Sequence, residues 1–204
     1  MSSGAFYKAI EDTAAASLPK DYHIEWTGLS YQERQNAGQI VTLMGLALLF
    51  AYLFLVAQYE SWTIPLSVML SVLFAVMGAL LGLELTGGDM SIYTQLGMVM
   101  LIGLAGKNAI LMVEFAKTAR ESGLSIIEAA KQGASIRFRA VMMTAWSFLF
   151  GVLPLVFATG AGSASRRAIG ITTFAGMLTA TLIGIFFIPF LFTLFETLRE
   201  KFHA

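Results

Sequence analysis

Five apolar runs close to the length of a membrane crossing divide most of this 204-residue chain, at 37–57, 64–83, 92–116, 140–158 and 168–195. A helix rises about 1.5 Å per residue, so a hydrocarbon core of about 30 Å takes about 20 apolar residues to cross. Inside that core every backbone polar group must be bonded within its own segment or a closed barrel. Runs of this length and composition therefore point to helices. The predicted fold class is mainly α: an integral-membrane bundle of five transmembrane helices. Composition agrees, with 13% charged residues against about 25% in soluble domains.

The turns between the runs carry the expected punctuation. Gln58, Tyr59, Glu60, Ser61 and Trp62 form a polar, aromatic turn after the first run, suited to interface depth. Pro65 sits in the first turn of the second span, where its missing N–H costs nothing. Residues 84–91 are a Gly-rich turn. Pro154 and Pro189 lie inside the fourth and fifth spans, where neighbouring helices can re-satisfy freed carbonyls. Between the third and fourth spans, Ser125 and Glu128 fit a capping box. They predict a short amphipathic helix lying on the membrane surface within 118–139. Gly78 and Gly82, with further glycines at 97, 103, 106, 151, 170, 176 and 184, are expected where helices approach closely.

Residues 1–36 read differently. An alanine-rich helix is expected over 6–16 and stops before Pro19. Tyr22, Ile24 and Trp26 alternate with His23 and Glu25, a strand signal. One helix and one strand cannot close a core. This segment is expected to be a short α/β remnant of a larger water-soluble domain, with residues 37–204 forming the membrane domain. No leader-like apolar run precedes it.

Orientation follows from the cations. Lys117, Arg120, Lys131, Arg137 and Arg139 cluster at 117–139, and the turns at 58–63 and 84–91 carry none. The positive-inside rule places 118–139 and the C-terminus in the cytoplasm and residues 1–36 outside. Arg166 and Arg167 oppose this, two against five.

Chemistry concentrates in the third span, GLAGKNAILMVEFAK at 103–117. Lys107 lies about 22 Å along a helix that starts at Ile92. A charge at that depth costs roughly 2.5–3.5 kcal/mol on insertion scales, and such residues mark ion pathways and relays. Glu114 follows two turns later, near the cytoplasmic interface, where a solvated glutamate and a functional one are equally plausible. Glu60, Glu84 and Asp89 fall in turns. The acid that would hold Lys107 is expected outside this chain. Asn108 suits interhelical bonding and relay membership equally. Thr144, taken alone, reads as a threonine bonding back to its own helix. Arg137 and Arg139 read as topology anchors.

Four stretches carry a resemblance: YESWTIPLSVML (59–70), GLAGKNAILMVEFAK (103–117), RFRAVMMT (137–144) and GVLPLVFATGAGS (151–163). They resemble the C-terminal membrane region of the resistance-nodulation-division (RND) pumps, the hydrophobe/amphiphile multidrug exporters of the AcrB/MexB type. WTGLSYQER (26–34) resembles the end of the periplasmic porter and docking region. The resemblance implies a proton-driven drug antiporter of the inner membrane, working as a homotrimer with a periplasmic adaptor and an outer-membrane channel. Its cargo would be hydrophobic or amphiphilic drugs, exchanged for protons. It implies a proton relay on Lys107, Asn108, Thr144 and Arg137, with two partner aspartates on the first half of the pump. One departure is Ala140, where many relatives have proline.

Other classes gain little support. No cofactor is implied, and there is no Ser/His/Asp set, cysteine or phosphate loop that would make an enzyme. The zero formal charge gives no overall attraction to nucleic acid. Two alternatives remain: a stand-alone membrane fragment that binds or modulates an intact pump, and a truncated product with no function of its own.

Overall fold

A computed structural model describes residues 3–19, 21–28, 30–31 and 39–203. The predicted lead-in to the membrane and the start of the first span, residues 32–38, lie outside the described residues. The elements are α1 (Ser3–Ser17), α2 (Gln39–Tyr59), α3 (Ile64–Leu85), α4 (Ile92–Glu121), α5 (Ile126–Val156), α6 (Ser163–Thr179), a π turn (Ala180–Gly184) and α7 (Ile185–His203). Among the described residues there is no strand.

Four helices are long and apolar enough to cross a membrane: Ile64–Leu85, Ile92–Glu121, Ile126–Val156 and the continuous Ser163–Lys201. The predicted first span falls on α2, whose apolar part Gly45–Tyr59 is only about 22 Å long at the helical rise. Pro65 stands in the first turn of α3, as expected.

Two expectations are corrected. The strand over 22–26 does not form; residues 22–27 carry no regular structure. A strand needs a partner ladder, and side chains provide another anchor here. Trp26 Nε1 donates to Glu11 Oε1 at 3.3 Å, and its ring meets Tyr7 edge-on at 4.9 Å. The segment thus folds back on α1. The second correction concerns 118–139. The surface helix is not separate: it runs into the fourth span as one 31-residue helix, α5. The Ser125–Glu128 capping box starts it as predicted. Beyond the cap no proline intervenes before Pro154, and Ala140 retains its backbone N–H, so nothing interrupts the ladder.

Small residues set the packing. A Cβ at Gly82 would fall 2.2 Å from Ala175 Cβ, and one at Gly78 would fall 2.2 Å from Thr179 Oγ1. These two glycines therefore seat α6 against α3. Gly176 is wedged between α3 and α4, with its added Cβ 2.9 Å from the Ala75 carbonyl and 2.1 Å from Leu101 Cδ2. Around them Ala75, Ala79, Leu101, Ala105, Ala145, Leu149 and Met177 form one buried cluster. A second, bulkier cluster joins Tyr59, Val68, Met112, Val113, Val141, Ile188 and Phe192. An added Cβ at Gly103, Gly151 or Gly184 would meet nothing within 4 Å, so these three make no close helix contact among the described residues.

The π turn joins α6 to α7 within one continuous helix. Pro189 follows five residues after its end and withholds the N–H that would bond the Ile185 carbonyl.

Gly133 fixes the contact between α4 and α5. A side chain there would meet the Ala116 backbone nitrogen at 2.7 Å. Gly133→Val is expected to cost about 1–3 kcal/mol by overpacking, whereas Gly103→Ala should change stability by no more than about 0.5 kcal/mol. Thermal unfolding midpoints in detergent check the pair; an unshifted Gly133→Val midpoint would contradict the contact.

Candidate functional site: the α4–α5 face

Lys107 is exposed on α4. It lies on a stripe with Leu96, Met100 and Gly103, spaced at three and four residues, and all are exposed. This face is covered by neither α3, α5 nor α6. Among the described residues no carboxylate lies within ion-pair distance of Lys107.

Asn108 turns the other way. It is half-buried and lines a small cavity with Ser71, Ala105, Val141, Thr181 and Gly184. The π turn borders that cavity. Asn108 is thus placed among helix-packing residues and not beside Lys107 on the open stripe. This arrangement suits the interhelical alternative.

Thr144 is exposed on α5, and its Oγ1 lies 3.0 Å from the carbonyls of both Ala140 and Val141. Its hydroxyl is satisfied by its own helix. The register comes from Gly133 against Ala116: the helices run antiparallel, so counting outward sets Thr144 opposite Ala105. That is two residues, about 3 Å of rise, from Lys107. Lys107 and Thr144 therefore share a depth on neighbouring helices, with no hydrogen bond between them.

Arg137 is half-buried, its guanidinium 4.2 Å from the centroid of the Phe115 ring. A cation over an aromatic face gains about 0.5–2 kcal/mol, more when desolvated. Its Nε is buried without a hydrogen-bond partner. Arg137 is therefore more than the topology anchor that its position beside Arg139 implies; Arg139 itself is exposed. The Phe115–Arg137 stack was invisible in sequence because 22 residues separate its members.

The ends of the helices around Tyr59, Lys117 and Glu200 hold a network the sequence did not announce. Tyr59, only 1% exposed, donates its hydroxyl to the Ile110 carbonyl at 3.0 Å. Lys117 Nζ donates to the Tyr59 carbonyl at 3.2 Å and lies 3.6 Å from Glu121. Arg120 pairs with Glu200 and donates to the Leu124 carbonyl, tying α4 to α7. Glu196, 5% exposed, is held by Arg199 at 3.1 Å. Glu114 is half-buried, and its Oε2 is buried without a partner. The nearest sequence signal for any of this was the i,i+4 spacing of Lys117 and Glu121.

Comparison with known proteins decides the family. Residues 1–196 match the AcrB/AcrD/AcrF family. The chain belongs to that family. Family relatives include the toluene efflux pump membrane transporter TtgB of Pseudomonas putida, 42% identical over 184 residues, covering 90% of this chain and 18% of the relative. The multidrug resistance protein MdtF of Escherichia coli is 43% identical over 202 residues, covering 98% of this chain and 19% of the relative. The multidrug export protein AcrF of Escherichia coli is 42% identical over 185 residues, with 90% and 18% covered. The chain thus spans about a fifth of the length of these family members. The resemblance carried by the four motifs is borne out.

Because the Thr144 hydroxyl bonds only its own helix, Thr144→Val is expected to shift stability by no more than about 0.5 kcal/mol. A thermal midpoint that stays put while function is lost would identify the hydroxyl's role as chemical. A large drop in the midpoint would contradict the local hydrogen bonding.

Proposed function

We propose that this chain is the membrane part, adjoining the C-terminus, of a proton-driven multidrug exporter, a drug/proton antiporter of the inner membrane. The observation that carries the reading is Lys107, exposed on a mid-span stripe without a carboxylate among the described residues, in a chain of the AcrB/AcrD/AcrF family. In this reading the lysine is held by carboxylates on chain outside this segment. Thr144 at the same depth and Arg137 below it line the same relay, and Asn108 supports the helix packing behind it.

The membrane domain is 37–204, with α2 as the first of five spans and residues 1–36 as the periplasmic porter or docking remnant. The 117–139 region and the C-terminus face the cytoplasm. Exposed apolar residues support immersion in lipid or burial against further chain: Phe50 is 67% exposed, Phe54 70%, Phe150 66% and Phe186 74%. A soluble surface seldom carries so many. The assembly would be a homotrimer that works with a periplasmic adaptor and an outer-membrane channel, and it would move hydrophobic or amphiphilic drugs outward as protons enter. Its chemistry is transport and not catalysis.

In the transporter that contains this segment, Lys107→Ala is expected to lower drug export to the level of the pump-free cell, with protein abundance in the membrane unchanged. Undiminished export by that variant would sink the relay. Orientation has its own check, because the chain contains no cysteine. A cysteine placed at Ser122 should react with an impermeant maleimide in inverted vesicles and not in intact spheroplasts.

A further inference from the structure

Two buried polar atoms on neighbouring helices lack partners, and they are complementary. Glu114 Oε2 is an acceptor on α4; Arg137 Nε is a donor on α5. The Arg137 guanidinium already rests on Phe115, the residue next to Glu114. The register set by Gly133 against Ala116 puts Arg137 opposite Met112, two residues or about 3 Å of rise from Glu114.

The competing groups nearby are engaged elsewhere. Lys117 is bound to the Tyr59 carbonyl and faces Glu121. The Tyr59 hydroxyl is bound to the Ile110 carbonyl. Arg120 is bound to Glu200 and the Leu124 carbonyl. Lys107 is on the same helix face as Glu114, but about 10 Å away along the axis.

Spacing adds a second observation. Lys107 and Glu114 are seven residues apart on α4, and Arg137 and Thr144 are seven apart on α5. Seven residues return a helix to nearly the same face. The four residues therefore form two levels on antiparallel neighbours: Lys107 with Thr144, then Glu114 with Arg137 two turns nearer the cytoplasm.

We propose that Glu114 and Arg137 form an ion pair across the α4–α5 seam during transport, with Arg137 alternating between the Phe115 ring and the Glu114 carboxylate. This rests on the antiporter reading given above. Leaving both groups permanently unpaired carries a desolvation cost that pairing partly offsets. Glu114 is here a positioning residue: it sets where Arg137 stands relative to Lys107 and Thr144.

The test uses the whole transporter in its own membrane. Glu114→Gln and Arg137→Gln are each expected to cut drug export at least about tenfold, and the double variant should be no worse than either single one. The exchanged pair, Glu114→Arg with Arg137→Glu, should recover part of the export. Multiplicative losses without recovery would overturn the pair. Where a variant does not reach the membrane, proximity decides. Glu114→Cys with Arg137→Cys should give a joined peptide with a short bismaleimide, read by mass spectrometry. Absence of that peptide, while each single cysteine still reacts with the reagent, would also overturn it. Lys107→Ala serves as the reference. If that variant exports normally, the antiporter reading fails, while the cross-link still reports whether positions 114 and 137 meet.

Discussion

Lipid gives helices no hydrophobic reason to associate, because the tails are as apolar as leucine. Close backbone approach has to hold such a bundle together, and here it rests on a few positions without side chains. Gly78, Gly82 and Gly176 let α6 lie against α3 and α4 at distances no Cβ would allow. Gly133 does the same between α5 and α4. With α3, α6 and the inner face of α5 pressed onto one side of α4, its opposite side is left uncovered. Lys107 is exposed on that side. The glycine contacts thus decide which face carries the cation.

Electrostatics follows the same division. At the α4–α5 turn and the end of α7, cations are matched locally: Lys117 with Glu121, Arg120 with Glu200, Arg199 with Glu196. Deeper in the bundle, Lys107 has no such match among the described residues, and Arg137 meets an aromatic face. A partly solvated pair such as Arg120 with Glu200 contributes little, typically about 0–1 kcal/mol, whereas the Glu196 carboxylate is buried. Groups of the second kind are costly to keep inside a membrane.

Much of this was legible in the chain itself. Apolar runs of crossing length, Pro65 at a helix start and the Ser125–Glu128 box gave α3, α4 and the start of α5, because each rests on local geometry. Other features depended on distant contacts. The alternation at Tyr22, Ile24 and Trp26 looked like a strand, but Trp26 found Glu11 and Tyr7 on α1 instead. The capping box and the amphipathic pattern after it suggested a separate surface helix within 118–139, yet α5 runs on unbroken into the fourth span. The separation of Asn108 from Lys107 required knowing which side of α4 is buried. The Phe115–Arg137 stack required the antiparallel register.

The unbroken course of α5 has a mechanical meaning. Its 31 residues make a rod of about 46 Å, longer than a bilayer core of about 30 Å. Gly133, Arg137 and Thr144 all ride on it. A separate surface helix would have hinged freely against the span and insulated one from the other. A single helix has no such joint, so Gly133, Arg137 and Thr144 keep a fixed spacing along it. The segment predicted to lie on the surface and the segment predicted to cross are thus one mechanical element.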